Sequence, residues 1–294
     1  MDWKSRTALV AMAAAMPLSA ATVPAHAAAT PATVQTATGT TTAPVQTAAR
    51  RNTVYFIHGI NSDCTIWNTA VKHFKKKGWT SSKLKKWGYY KGGKGCSKGK
   101  LVKGDMDTEI TTLGRYLAWN IHDNYTKKGK TVDVVGHSMG GLVARAALTG
   151  TRKGTKGFPK KLSIGRVVTL GTPHKGSGFA NACNLPFTPI QCKRLKPNSG
   201  FLKWLSSGSN LVNKQTTFTI AGSKGDGVVS DKSATGMKAK YKVIYSSKNL
   251  GHSGYYSKGT SSKWTARTSV NYGKTWNTSK HYAGPLALAV ARLS

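Results

Sequence analysis

The chain has 294 residues, of which 45 are Lys or Arg and 9 are Asp or Glu, giving a formal net charge of +36. At this length one well-buried domain is expected, and no segment approaches the roughly 20 consecutive apolar residues of a membrane-spanning helix. The excess of positive charge favours anionic partners, but no helix-turn-helix, zinc-finger or RRM-like pattern accompanies it, so specific nucleic-acid recognition is not expected.

In chain order, Lys4 and Arg6 precede the apolar run Ala8 to Leu18, and Ala25-His26-Ala27 supplies an A-x-A site. Residues 1–27 are therefore predicted to be a signal peptide cleaved after Ala27, which implies a secreted, extracellular protein. Residues 28–51 are rich in Ala, Thr and Pro, carry no helical or strand period, and are expected to be a disordered leader. Residues 52–294 are expected to form one α/β domain. Within it, Thr53–His58 is apolar and β-branched and reads as a strand, and Leu84–Tyr90 as a weaker one. Lysines spread through Gly/Ser-rich loops, as in Lys91-Gly92-Gly93-Lys94-Gly95, describe a charged surface rather than a recognition element. Such a surface is expected to keep an exported protein soluble, and the alternative is a salt-sensitive attraction to an anionic lipid or polymer surface.

Ile110, Leu113, Leu117 and Ile121 recur at helical spacing within Asp107–Tyr125. Thr131–Val135 reads as a strand, Met139–Leu148 as a helix and Ile164–Leu170 as a further strand. The stretch 172–215 has no clear strand but contains Phe179, Leu185, Phe187, Phe201 and Trp204. It is either a cap insertion above the site or a set of helices packed on the body. Thr216–Ala221 and Tyr241–Tyr245 read as strands, and Pro285–Leu293 as a final helix with proline where a missing amide is harmless. Strands alternating with helices predict a mostly parallel central sheet with helices on both faces, and a ligand site beyond the carboxyl ends of the strands.

The four cysteines, Cys64, Cys96, Cys183 and Cys192, suit an exported chain with two disulfides, and no Cys-x-x-Cys spacing suggests zinc. The short separation of Cys183 and Cys192 favours one local bridge and leaves Cys64–Cys96 as the other, one of three connectivities open to four cysteines.

The chemistry concentrates at Gly136-His137-Ser138-Met139-Gly140-Gly141, between an apolar run and a helix-forming one. A Gly-x-Ser-x-Gly in that context is the sequence of a nucleophile elbow, a strand–turn–helix corner that lifts the serine hydroxyl above the sheet. A serine needs a base, and the base needs an orienting acid. Asp226 and Asp231 are the carboxylates that follow Ser138. Asp226, in Gly225-Asp226-Gly227 just past a strand, is favoured over Asp231, whose polar surroundings suit capping. His252, in Gly251-His252-Ser253-Gly254 after the strand Tyr241–Tyr245, is favoured as the base over His281. His137 is expected to pack or hydrogen-bond beneath the elbow. Oxyanion-hole amides are expected from Met139 and from Ile60, in the turn His58-Gly59-Ile60 after the first strand.

Together Phe56-Ile57-His58-Gly59-Ile60, the Ser138 elbow, Leu170-Gly171-Thr172-Pro173-His174 and Asp226-Gly227-Val228-Val229 resemble a bacterial secreted lipase/esterase of the α/β-hydrolase superfamily. The resemblance spans about residues 53–252. It implies carboxylic-ester hydrolysis through an acyl-enzyme, with Ser138 as nucleophile, His252 as base, Asp226 as orienter, and Ile60 and Met139 in the oxyanion hole. It also implies a structural role for His174. Some related lipases hold calcium, but with few acidic residues and no cluster among them no metal or other cofactor is expected here. The lysine-rich loops and the Cys183/Cys192 segment depart from the pattern, so substrate preference does not carry over. An acyltransferase or amidase on the same triad, and a non-catalytic cationic protein that binds polyanions or cell wall, are the alternatives. A monomer acting on an ester or lipid substrate is expected.

Overall fold

A computed structural model of the chain describes residues 51–97, 103–181, 188–207 and 215–294. The signal segment, nearly all of the leader, and Cys183 with its expected bridge to Cys192 lie outside the described residues.

Short β-branched and aromatic runs build the sheet. In chain order the strands are β1 (Thr53–Ile57), β2 (Leu84–Trp87), β3 (Val132–His137), β4 (Ile164–Leu170), β5 (Thr217–Ser223), β6 (Tyr241–Tyr245), β7 (Trp264–Ser269) and β8 (Asn277–Tyr282). They form one sheet in the order β2-β1-β3-β4-β5-β6-β7-β8. All pairs from β2 to β6 are parallel, and β6–β7 and β7–β8 are antiparallel. The helices are α1 (Asn68–Lys76), α2 (Ile110–Asn124), α3 (Met139–Arg152), α4 (Ile190–Leu195), α5 (Gly200–Ser206), α6 (Asp231–Ala234), α7 (Gly254–Ser257) and α8 (Pro285–Leu293).

Alternating side chains of one strand enter different cores, as a period of two requires. Tyr55 and Ile57 join Leu113, Leu117, Leu142 and Phe201 on one face. Val54 and Phe56 join Trp67, Phe74, Leu286 and Leu293 on the other. Covering both faces is what permits near-continuous apolar strands. The parallel, helix-flanked sheet is the α/β-hydrolase arrangement expected from the sequence.

The differences have local causes. The second strand stops at Trp87 rather than Tyr90, because Gly88 passes against the Cys64–Cys96 disulfide; a Cβ there would lie 2.3 Å from Cys96 Sγ. That bridge, with Cα atoms 4.9 Å apart, ties the short 3-10 turn Cys64–Trp67 to the loop after β2. Helix α2 starts at Ile110 rather than Asp107, since Asp105 Oδ1 accepts from Asp107 N–H and from Thr108 Oγ1 and folds the preceding residues into a turn. Strand β3 begins one residue late and runs two residues past Val135, to the elbow itself. Strands β7 and β8 have no counterpart in the sequence reading, and β6, taken as the last strand, is only the last parallel one. Along β8 no side chain is buried, so its six residues carry no apolar alternation. Within 172–215 the sequence left two readings open, and the described residues of the segment touch both the core and the cavity. Phe201, Leu202 and Leu205 of α5 are buried in the main core together with Leu195 of α4, and Leu195 and Cys192 of α4 also line the cavity described below.

Candidate active site

The strand order doubles back at β1 and β3, whose carboxyl ends lie side by side with Ile57 paired to Gly136. In open α/β sheets such a switch point opens a crevice. Ser138 follows β3 there with φ +53° and ψ −130°, a left-handed conformation unfavourable for a residue with a Cβ, and helix α3 begins at the next residue. The flanking glycines make this corner feasible. A Cβ on Gly140 would lie 2.2 Å from Ile57 O, and one on Gly136 would lie 2.7 Å from the Gly141 backbone nitrogen. Gly140→Ala is therefore expected to cost at least about 3 kcal/mol of stability, read as a lower denaturant midpoint. A wild-type midpoint would show that β1 can move aside.

His252 and Asp226 reach the same end of the sheet from the loops after β6 and β5. His252 Nδ1 donates to Asp226 Oδ2 at 2.8 Å, and the Asp226 side chain is fully buried. Asp226 Oδ1 accepts from the amides of Val228 and Val229 at 2.8 and 2.9 Å. With Nδ1 protonated, the neutral ring presents Nε2 as a proton acceptor. The two loops are also braced to each other. Ser223 Oγ donates to Leu250 O at 2.7 Å, and Gly225 passes so close to Lys248 that a Cβ would lie 2.4 Å from its carbonyl oxygen. Gly225 was read as one of the glycines flanking Asp226, but Ser223 was not singled out from the sequence, since a serine at a strand end has no distinguishing pattern.

Ser138 and His252 line one cavity of about 300 Å³, together with Ile60, Phe179, Leu195 and Val229. A Cβ on Gly59 would lie 3.3 Å from Ser138 Oγ, which sets the turn after β1 directly beside the hydroxyl. Tyr89 fixes that turn. Its hydroxyl lies 2.7 Å from the carbonyl oxygens of both His58 and Gly59, and its ring stacks on His58 at 4.1 Å. Because a trans peptide sets C=O and N–H in opposite directions, holding Gly59 O toward Tyr89 aims Ile60 N–H away from it. Tyr89 was read only as part of a strand.

The alternatives lie elsewhere. Asp231 opens α6, its Oδ1 accepting from Lys232 N–H at 2.8 Å. His281 is exposed on the edge strand β8. His137 is buried, as expected, but its Nε2 donates to His252 O at 2.9 Å, so it supports the His252 loop rather than the underside of the elbow. His174 is buried with its Nδ1 3.3 Å from Arg145 Nη1 and its Nε2 3.0 Å from Thr169 Oγ1, a structural setting. Among the described residues no group of three or more His, Cys, Asp or Glu side chains is placed to hold a metal ion. No helix among them is long and apolar enough to cross a membrane.

Burial depresses three of these imidazoles. His58 is lowered to about 4 and His137 to about 3, with the His252 ring adding to the effect at His137, and His174 lies well below its ordinary value through burial and the nearby Arg145. Each stays neutral when folded but is protonated below about pH 6.5 when unfolded, so the unfolded chain binds more protons and stability is lost as the pH is lowered. The loss begins near the unfolded value and continues to the folded ones, at up to about 1.4 kcal/mol per pH unit for each histidine. In high salt, which screens surface charge repulsion, the urea midpoint is expected to drop by more than about 1 M between pH 7 and pH 5. An unchanged midpoint would mean these rings are protonated in the folded protein.

Residues 51–271 match the lipase (class 2) family. No curated protein matches the chain. Among solved structures the chain is similar to the Bacillus licheniformis lipase BlEst2 in its propeptide form, at 20% identity over 69% of this chain and 46% of that one, with a TM-score of 0.48. It is similar to the phospholipase PlaB from Legionella pneumophila at 14% identity, over 63% of this chain and 45% of that one, with a TM-score of 0.48. It is also similar to the lin2722 gene product of Listeria innocua at 14% identity, over 70% of this chain and 89% of that one, with a TM-score of 0.45. The chain spans about half the length of the first two. The family match runs from the start of β1 through β7 and takes in the elbow and both loops that meet it. The chain belongs to the class 2 lipase family, a family of carboxylic ester hydrolases.

Proposed function

We propose that this chain hydrolyses carboxylic esters through an acyl-enzyme on Ser138, with His252 as general base and acid and Asp226 as its orienter. The observation that carries the reading is the 2.8 Å hydrogen bond from His252 Nδ1 to a buried Asp226, on a ring that shares one cavity with Ser138. His252 Nε2 takes the hydroxyl proton as Ser138 Oγ attacks the ester carbonyl, and the oxyanion is bound by the amides of Met139 and Ile60. Met139 opens α3, a helix of 14 residues whose positive end also favours the developing charge. When the tetrahedral intermediate collapses, His252 returns the proton to the departing alcohol oxygen. Water then enters by the same route and releases the acid.

The N-terminal pattern Lys4, Arg6 and Ala25-His26-Ala27 supports export of the protein, with residues 1–27 as signal, 28–51 as leader and 52–294 as the catalytic domain. The lysine-rich surface supports action at anionic interfaces, and the chain is taken to act as a monomer. A p-nitrophenyl ester series run beside the matching p-nitroanilides, with and without an added alcohol acceptor, tests the reaction class. Ester turnover to free acid is expected. Preference for the anilides, or accumulation of the transferred ester, would replace hydrolysis of esters with the amidase or acyltransferase reading.

A further inference from the structure

The catalytic cavity does not end at Ser138. Asn61 and Ser62 line both it and a second, wider groove of about 600 Å³. The walls of that groove include Asp63, Thr65, Tyr90, Lys91, Lys94 and Asp105. It contrasts with the first cavity, where Ile60, Phe179, Leu195, Val228 and Val229 supply apolar surface.

The groove is a built feature. The Cys64–Cys96 disulfide pins its lysine loop, Cys64 N–H donates to Lys94 O at 3.2 Å, and Lys91 N–H donates to Gly104 O at 2.8 Å. Tyr90 joins groove to cavity, its hydroxyl accepting from Asn61 N–H at 3.3 Å and donating to Gln191 Oε1. Gln191 is fully buried and donates to the carbonyl oxygens of Asp105 and Thr108. The two acids of the walls each accept from an amide of their own turn, Asp63 from Thr65 N–H and Asp105 from Asp107 N–H, with Asp63 half-buried and Asp105 exposed. Lys91 and Lys94 are exposed, and their ammonium groups take part in none of the ion pairs of the described residues.

We propose that this groove receives the alcohol side of the ester, and that Lys91 and Lys94 select an anionic leaving group. The proposal rests on the catalytic reading above, because the groove matters only if the bond broken lies at Ser138. An ester held with its acyl chain in the apolar cavity and its carbonyl at Ser138 extends its alcohol past Asn61 and Ser62. Two unpaired ammonium groups there attract a carboxylate or phosphate on that alcohol, more strongly at low salt.

The test compares 4-nitrophenyl butyrate with 3-carboxy-4-nitrophenyl butyrate, which share an acyl chain and differ in leaving-group charge. The kcat/KM ratio, anionic over neutral, is expected to be about tenfold for the wild type at low salt and to fall to about twofold or less in Lys91→Gln/Lys94→Gln. Taking the ratio within one preparation cancels any loss of folded enzyme. Lys160→Gln/Lys161→Gln, just before β4 at the amino end of the strands, removes the same charge far from the groove and is expected to keep the wild-type ratio. An unchanged ratio in the groove variant, or an equal fall in the distant one, would overturn the subsite and leave esterase activity standing. Absence of turnover on both esters by folded wild type would overturn the catalytic reading and the subsite with it.

Discussion

Ser138→Ala is expected to lower kcat on a p-nitrophenyl ester by at least about 10⁴-fold while leaving the folded protein intact. In the proposed mechanism the hydroxyl oxygen forms the acyl bond, so its removal leaves only whatever the oxyanion amides and binding do for direct attack by water. The small methyl group also suits the site. Ser138 is nearly buried and its Cβ already sits against Gly59, so alanine adds no atom to the corner. The strained backbone at φ +53° is the same for either residue. A loss of activity with an unchanged denaturant midpoint is the expected pair of results. Retention of more than a tenth of the activity would move the nucleophile to another residue.

Asp226→Asn is expected to cost about 10⁴-fold in kcat, although it changes one atom. The size of the effect follows from how Asp226 is held. One oxygen accepts from the Val228 and Val229 amides, and the other accepts from His252 Nδ1. An asparagine cannot turn its NH₂ toward the two amides, because donor would face donor. Its carbonyl oxygen must stay there, which points the NH₂ at His252. The ring is then driven to accept at Nδ1 and carry its proton on Nε2, the nitrogen that takes the Ser138 proton in the proposed mechanism. A loss below about tenfold would mean that His252 does not depend on Asp226 for its tautomer.

Much of this was legible from local pattern. Strands β4 and β6 and helix α8 have the boundaries read from the sequence, because each has apolar periodicity and a distinct punctuating residue. The Gly-x-Ser-x-Gly corner announced its geometry because only glycine fits at 136 and 140. The scarcity of acids narrowed the choice to Asp226 and Asp231. What escaped was held together by tertiary contact. Strands β7 and β8 pair antiparallel on an outer edge, where polar residues suffice and no buried face imposes alternation. Tyr89 beneath the turn after β1, Ser223 between the two loops, and Gln191 between cavity and groove act through long-range hydrogen bonds. Nothing in their neighbouring residues marks such a bond. His137 was legible as a supporting residue, but its partner, the His252 carbonyl, is 115 positions away in the chain.

The central claim is that Ser138 is an activated nucleophile driven by His252. Its most direct test is labelling of the intact protein with a fluorophosphonate, followed by peptide mapping, in the wild type and in His252→Ala. One adduct per chain is expected, on Ser138, forming at least about 10³-fold more slowly without the imidazole. Folded wild type that takes no label, or takes it on a serine outside the elbow, would contradict the claim.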